Sequence, residues 1–303
     1  MFSRFIVNLI KWGALRYRRK RMAHIAKQTP EAFRRGFRRV TSPAPLSWRV
    51  RCTPFMIGNI QAERIVPKRY TPNRVIMHCH GGGYVIGDRD THRAFAAQLA
   101  LYMQAEVVLF EYRLAPEHPY PAGLEDSVTV YKHLQSELNG RMLIISGDSA
   151  GGGMALATML RLRDTGVTLP AAAVLQSPWT DLTISGESAI SRIPHDPIIE
   201  VSQLPRWAAW YAGDTPISNP EISPLLANHQ GLPPTLIQVG GDELLLSDST
   251  RLHEKLKAAG VKAELDVYEG MIHVWHFFFT ILPTARRALR EMNDFITTHE
   301  KTN

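Results

Sequence analysis

Residues 145–153 read ISGDSAGGG, with Ser149 standing between the apolar run RMLIIS and the helical pattern GGGMALATML. A match to GxSxG is weak alone, since glycine and serine are common enough to produce it by chance in roughly one chain in ten of this size. Its setting strengthens it. A strand, a tight turn and a helix in immediate succession make a nucleophile elbow, where small neighbours permit strained backbone angles and leave the serine oxygen exposed. The helix N-terminus behind that oxygen favours developing negative charge.

A serine hydroxyl attacks a carbonyl only when a base takes its proton, and the base needs a carboxylate to orient it. Two downstream segments offer both. The strand pattern TLIQVG runs into GDELLLSD, which places Asp242 at the strand end and Asp248 at the start of the next helical pattern. The strand pattern KAELDVYEG runs into MIHVWH, which places His273 in the following loop and His276 near the next helix. Ser149 is therefore the candidate nucleophile, His273 the base and Asp242 its orienter, in a chain order known for such triads. Glu243 is the runner-up to Asp242. Asp248 reads as a helix N-cap, and His276 and His195 are lesser candidates for the base.

HGGG at 80–83 follows the strand pattern NRVIMHC. Successive glycines leave backbone N–H groups uncovered, so those of Gly82 and Gly83, with that of Ala150, could hold the oxyanion of a tetrahedral intermediate. A phosphate loop is the competing reading. It is disfavoured because no Lys-Ser/Thr follows and the spacing is not GxGxxG. His78 and His80 could share a strand face toward a metal, but no third or fourth ligand is near, so no metal is expected, and a serine route of this kind needs no organic cofactor.

The elements that must position these residues alternate strictly. SWRVRC and MIGNIQAERIV read as an opening antiparallel pair, followed by strands NRVIMHCH, EVVLFEYR, RMLIIS, AAAVLQSP, TLIQVG and KAELDVYEG with helical patterns between most of them. This predicts an α/β fold with right-handed crossovers and a mostly parallel sheet covered on both faces, with its site at the carboxyl ends of the strands. Residues 181–223 break the rhythm. They carry no strand signal, several prolines and one helical stretch with Trp207, Trp210 and Tyr211, the signature of a functional lid.

The net charge of +7 belongs to one arm, because residues 1–40 hold twelve lysines and arginines against Glu31 alone, leaving the rest of the chain at −4. Nucleic acid is not an expected partner, since no base-reading module accompanies the charge. Within the arm Phe2, Phe5, Ile6, Leu9, Trp12 and Tyr17 recur at helical spacing with basic residues between them. The first expectation is a helix laying its apolar stripe on its own protein. The alternative is an interfacial helix in which residues 1–20 meet an anionic membrane surface. Cys52 and Cys79 are too few for a disulfide framework, no run is long enough to span a bilayer, and FIVNLI is shorter than a signal-peptide core. A reducing, cytoplasmic setting is expected, peripheral to the inner membrane surface in the alternative, with the mature chain beginning near Met1.

Taken together, HGGG at 80–83, YRLAPEHPYPA at 112–122, GDSAGG at 147–152, SPWTDLT at 177–183, GDELLLSD at 241–248 and MIHVW at 271–275 resemble the hormone-sensitive lipase family of α/β-hydrolases, the bacterial family IV esterases. The resemblance spans roughly residues 70–280. It implies an eight-stranded sheet with a helical cap, a carboxylesterase activity, the triad Ser149, His273 and Asp242, and an oxyanion hole from Gly82, Gly83 and Ala150. The implied organisation is a basic helical arm at 1–45, core at 46–184, a cap insertion at 185–222 and core at 223–303. Relatives often read DPLRDE where this chain reads DELLLSD, which leaves Asp242 in place. Tyr84, Asp148, Trp207 and Tyr211 are the candidate substrate-binding residues, and the aromatic cap points to a bounded apolar pocket for short to medium acyl esters. A non-catalytic small-molecule binder and an amidase or lactonase are the alternatives, and a homodimer is admitted.

Overall fold

The structure is a computed structural model that describes Val7 and residues 28–41, 46–69 and 72–300. Most of the basic arm, including its aromatic stripe, lies outside the described residues. An eight-stranded sheet forms the centre, in the order β1-β2-β4-β3-β5-β6-β7-β8. Its strands are β1 (Val50–Ile57), β2 (Ile60–Pro67), β3 (Arg74–Cys79), β4 (Glu106–Phe110), β5 (Met142–Asp148), β6 (Ala172–Gln176), β7 (Thr235–Gly240) and β8 (Ala263–Tyr268). The β1–β2 and β2–β4 pairs are antiparallel and the rest are parallel. The central strands β3, β4, β6 and β7 are buried along their whole length, as expected of a sheet covered on both faces.

The longer helices described between residues 28 and 300 are α1 (Pro30–Thr41), α2 (Arg89–Tyr102), α3 (Ala122–Ser136), α4 (Ala150–Asp164), α5 (Leu204–Ala212), α6 (Leu246–Ala258) and α7 (Pro283–Glu300), with short helical turns between some of them. They build two apolar cores. Leu156 and Met159 of α4 and Leu252 of α6 fill one face, and Phe95 and Leu99 of α2 with Leu289 and Met292 of α7 fill the other. The apolar side chains recur at helical spacing in these segments, and burial of each stripe on the sheet fixes the layering.

Residues 181–223 contain no strand, as their sequence indicates. Their longest helix, α5, meets α1 edge to face, with the rings of Phe33 and Trp207 5.4 Å apart, while Arg206 donates to the carbonyl of Gln28 at 3.0 Å. Arg34 pins α1 to the loops after β3 and β4 by donating to the carbonyls of Val85 at 2.9 Å and Ala115 at 3.0 Å. Two segments distant in the chain thus lie together over the carboxyl end of β3. No helix among the described residues is long and apolar enough to cross a membrane.

Candidate active site

Strand β5 ends at Asp148 and α4 begins at Ala150, so Ser149 occupies the single residue between them. Its φ of 54° and ψ of −124° are strained for a side chain with a Cβ, a conformation that persists only where the surroundings impose it. They do so here. Ser149 N–H donates to the Gln176 carbonyl on β6 at 2.8 Å, and its own carbonyl accepts from Trp179 N–H at 2.9 Å. Gly151 packs directly on the backbone of Cys79, where a Cβ would collide with a carbonyl oxygen. This close approach brings the elbow against the end of β3.

His273 lies in the loop after β8, as expected, with Nε2 2.9 Å from Ser149 Oγ. Its other nitrogen corrects the sequence reading. Nδ1 is 3.2 Å from Glu243 Oε1, so the carboxylate hydrogen-bonded to the imidazole belongs to Glu243 and not to Asp242. The turn after β7 sends these adjacent side chains apart: Glu243 is fully buried and Asp242 half-buried, with Asp242 N–H donating to the Met271 carbonyl at 3.1 Å. Glu243 Oε2 accepts from Gly240 N–H at 2.9 Å and from Ser177 Oγ at 2.8 Å. Burial lowers the His273 pKa, but the Glu243 carboxylate outweighs it and the net direction is upward.

The loop 80–83 faces this elbow. Gly81 N–H donates to Asp148 Oδ1 at 3.1 Å, and Gly83, with φ of 60°, packs so tightly under Trp207 that a Cβ would run into the indole. The expected oxyanion groups of Gly82, Gly83 and Ala150 therefore belong to two loops tied together by Asp148.

Asp148 departs from its expected place among substrate-binding residues. It is 3% exposed, and its Oδ1 lies 3.2 Å from His78 Nε2 and 3.6 Å from His92 Nε2. Burial works against its charge, but His92 and His78 outweigh that and hold its carboxyl well below the usual carboxylate range. Its partners make it a brace beneath the site. Tyr84 and Tyr211 are also buried and stack on each other at 3.9 Å, while Trp207 is half-buried.

His78 and His80 do not converge on a metal. His78 is held between Asp148 and Ser146, and His80 stacks on Tyr112 at 4.2 Å. Among the described residues no cluster of three metal-ligating side chains occurs. His276 is buried with Nε2 3.1 Å from Gln238 Oε1, and His195 is exposed in the insertion. Asp248 does not cap its own helix as its position suggests. It reaches across to accept from the N–H groups of Thr180 and Asp181, both at 2.8 Å.

Comparison with known proteins bears on the fold and the family. The profile of the α/β-hydrolase fold family matches residues 76–277. An esterase of Acinetobacter venetianus is 36% identical over 82% of this chain and 82% of its own. An acetyl-hydrolase of Streptomyces hygroscopicus is 38% identical over 80% of this chain and 81% of its own. The crystal structure of a hormone-sensitive lipase from a metagenome library superimposes with a TM-score of 0.89 at 34% identity, covering 99% of both chains. By its fold, the family match and these relatives, the chain belongs to the hormone-sensitive lipase family of α/β-hydrolases.

Proposed function

We propose that the protein is a carboxylesterase using Ser149 as nucleophile, His273 as base and Glu243 as the carboxylate that orients it. The observation that carries this reading is the continuous hydrogen-bonded line from Glu243 through His273 to Ser149 at a strained elbow. The names of its relatives, esterase and acetyl-hydrolase, favour an acyl ester as substrate.

In the first half-reaction His273 Nε2 takes the Ser149 proton as Oγ bonds to the ester carbonyl carbon. The N–H groups of Gly82, Gly83 and Ala150 receive the oxyanion, and the Glu243 carboxylate stabilises the imidazolium. Collapse breaks the bond to the alcohol oxygen, which leaves with the proton from His273. A water molecule then gives His273 a proton and attacks the acyl carbon. Collapse of that second intermediate breaks the bond to Oγ, returns the proton to Ser149 and frees the acid.

The segment 185–222 and α1 act as a cap in this reading. Trp207 over Gly83 and the buried Tyr84–Tyr211 stack bound the space above the oxyanion loop, which supports short to medium acyl chains. A panel of p-nitrophenyl acetate, butyrate, octanoate and palmitate, with an anilide and a lactone, tests the specificity. Fastest turnover of the shorter esters is expected, whereas preference for palmitate or for the anilide would overturn it.

A further inference from the structure

Ser177 immediately follows β6, is fully buried, and has a left-handed φ of 47° that glycine adopts more easily than serine. Its N–H donates to the Gln238 carbonyl on β7 at 2.7 Å. Its hydroxyl donates to Glu243 Oε2 at 2.8 Å and accepts from the N–H of Val274, the residue after His273, at 3.2 Å. One hydroxyl therefore touches both the carboxylate and the backbone of the loop that carries the imidazole. Gly240 N–H, the other donor to Oε2, ties Glu243 only to its own loop.

We infer that Ser177 is a positioning residue that locks the Glu243 carboxylate and the His273 loop into one fixed relation. The inference rests on Glu243, His273 and Ser149 being the working triad. A side chain is kept at a backbone position where glycine would be less strained because its hydroxyl has two partners to hold, one after β7 and one after β8. Without it the carboxylate loses a donor, so more of its charge is left for the imidazolium to balance, and Val274 N–H loses its acceptor. The carboxylates of Asp196 and Asp148 also act on His273, with burial opposing them, and His276 lies near it, but none of these is hydrogen-bonded to the Ser177 hydroxyl.

The test compares full-length S177A and S177G with the parent and with S149A, in p-nitrophenyl butyrate hydrolysis across pH and in thermal unfolding. S177G suits the backbone and lacks the hydroxyl, so it separates positioning from folding. Both Ser177 variants are expected to lose about tenfold or more in kcat with KM changed less than about twofold. The acidic limb of their kcat/KM profile is expected to move to higher pH, with S177G more stable than S177A because glycine relieves the backbone strain. If S177A unfolds, S177G alone decides. A kcat within about twofold of the parent in the folded variants, or a loss seen only in KM, would overturn the inference. Retained activity in S149A would instead remove the triad itself, a distinct outcome.

Discussion

Glu243 Oε1 lies 3.2 Å from His273 Nδ1, while the adjacent Asp242 is turned to the half-buried side of the same loop. A buried carboxylate against Nδ1 fixes the tautomer that leaves Nε2 free to accept the Ser149 proton. Glu243→Gln is expected to lower kcat by about 10³–10⁴-fold, whereas Asp242→Asn is expected to stay within about tenfold of the parent. Steady-state kinetics on p-nitrophenyl butyrate checks both, and the reverse ranking would return the orienting role to Asp242.

The pH dependence follows from the same contact. Burial favours neutral His273, but the neighbouring Glu243 carboxylate prevails and raises its pKa above the ordinary 6.5. Only neutral imidazole acts as base, so kcat/KM is expected to rise with pH through a limb centred above that value. In Glu243→Gln the opposing burial remains without the charge, and the limb is expected to move down. A limb that stays in place in that variant would show that Glu243 does not set the protonation of His273.

Ser149 trades stability for exposure of its oxygen. A residue with a Cβ at its φ and ψ carries about 1–3 kcal/mol of strain, which glycine relieves. Ser149→Gly is therefore expected to abolish turnover while unfolding at a higher temperature than Ser149→Ala, which keeps the strain. Equal melting temperatures for the two variants would mean that the elbow is not strained.

How much of this was legible in the chain depends on the range of the contacts. TLIQVG at Thr235–Gly240 matches β7 end to end, and Ser149 and His273 fall where a strand-then-loop pattern places them. Asp242 and Glu243 both follow that strand, and nothing in DELLLSD says which side chain the turn directs inward. Ser177 opens the SPWTDLT stretch, but no spacing there gives its hydroxyl a role, because its partners lie on two other loops. The Asp148 brace joins β3, α2 and β5, so its inward orientation depends on their packing. Asp248 resembled a cap because local spacing hides the nearby backbone of Thr180 and Asp181.

Gly83 gives a steric test of the oxyanion loop. A methyl group there meets Trp207 and an unfavourable φ at once, so the loop must move. Gly83→Ala is expected to reduce kcat/KM by about 10²–10³-fold, with only partial recovery in the double variant Gly83→Ala/Trp207→Ala, since the backbone strain remains. Full recovery would show that the clash alone matters.

Asp248 links stability to pH. Burial pushes its pKa up from 3.8 to about 7, against the N–H groups of Thr180 and Asp181 that favour its charge. The folded state holds a proton that the unfolded chain has released across that interval, so the contribution of Asp248 to stability falls as pH rises through it. Asp248→Asn is expected to gain relative to the parent as pH is raised from 4 toward about 7, and Asp248→Ala to lose about 1–3 kcal/mol by stranding two buried N–H groups. Denaturant unfolding at several pH values measures both. A difference between parent and Asp248→Asn that does not vary with pH would contradict the assignment.

The most direct measurement is kcat/KM for p-nitrophenyl butyrate in the parent and in Ser149→Ala, with circular dichroism to confirm that both are folded. The triad account expects turnover by the parent and a rate near the uncatalysed background for the variant. Turnover by folded Ser149→Ala at the parent's rate, or none by the parent on any ester of the panel, would contradict it.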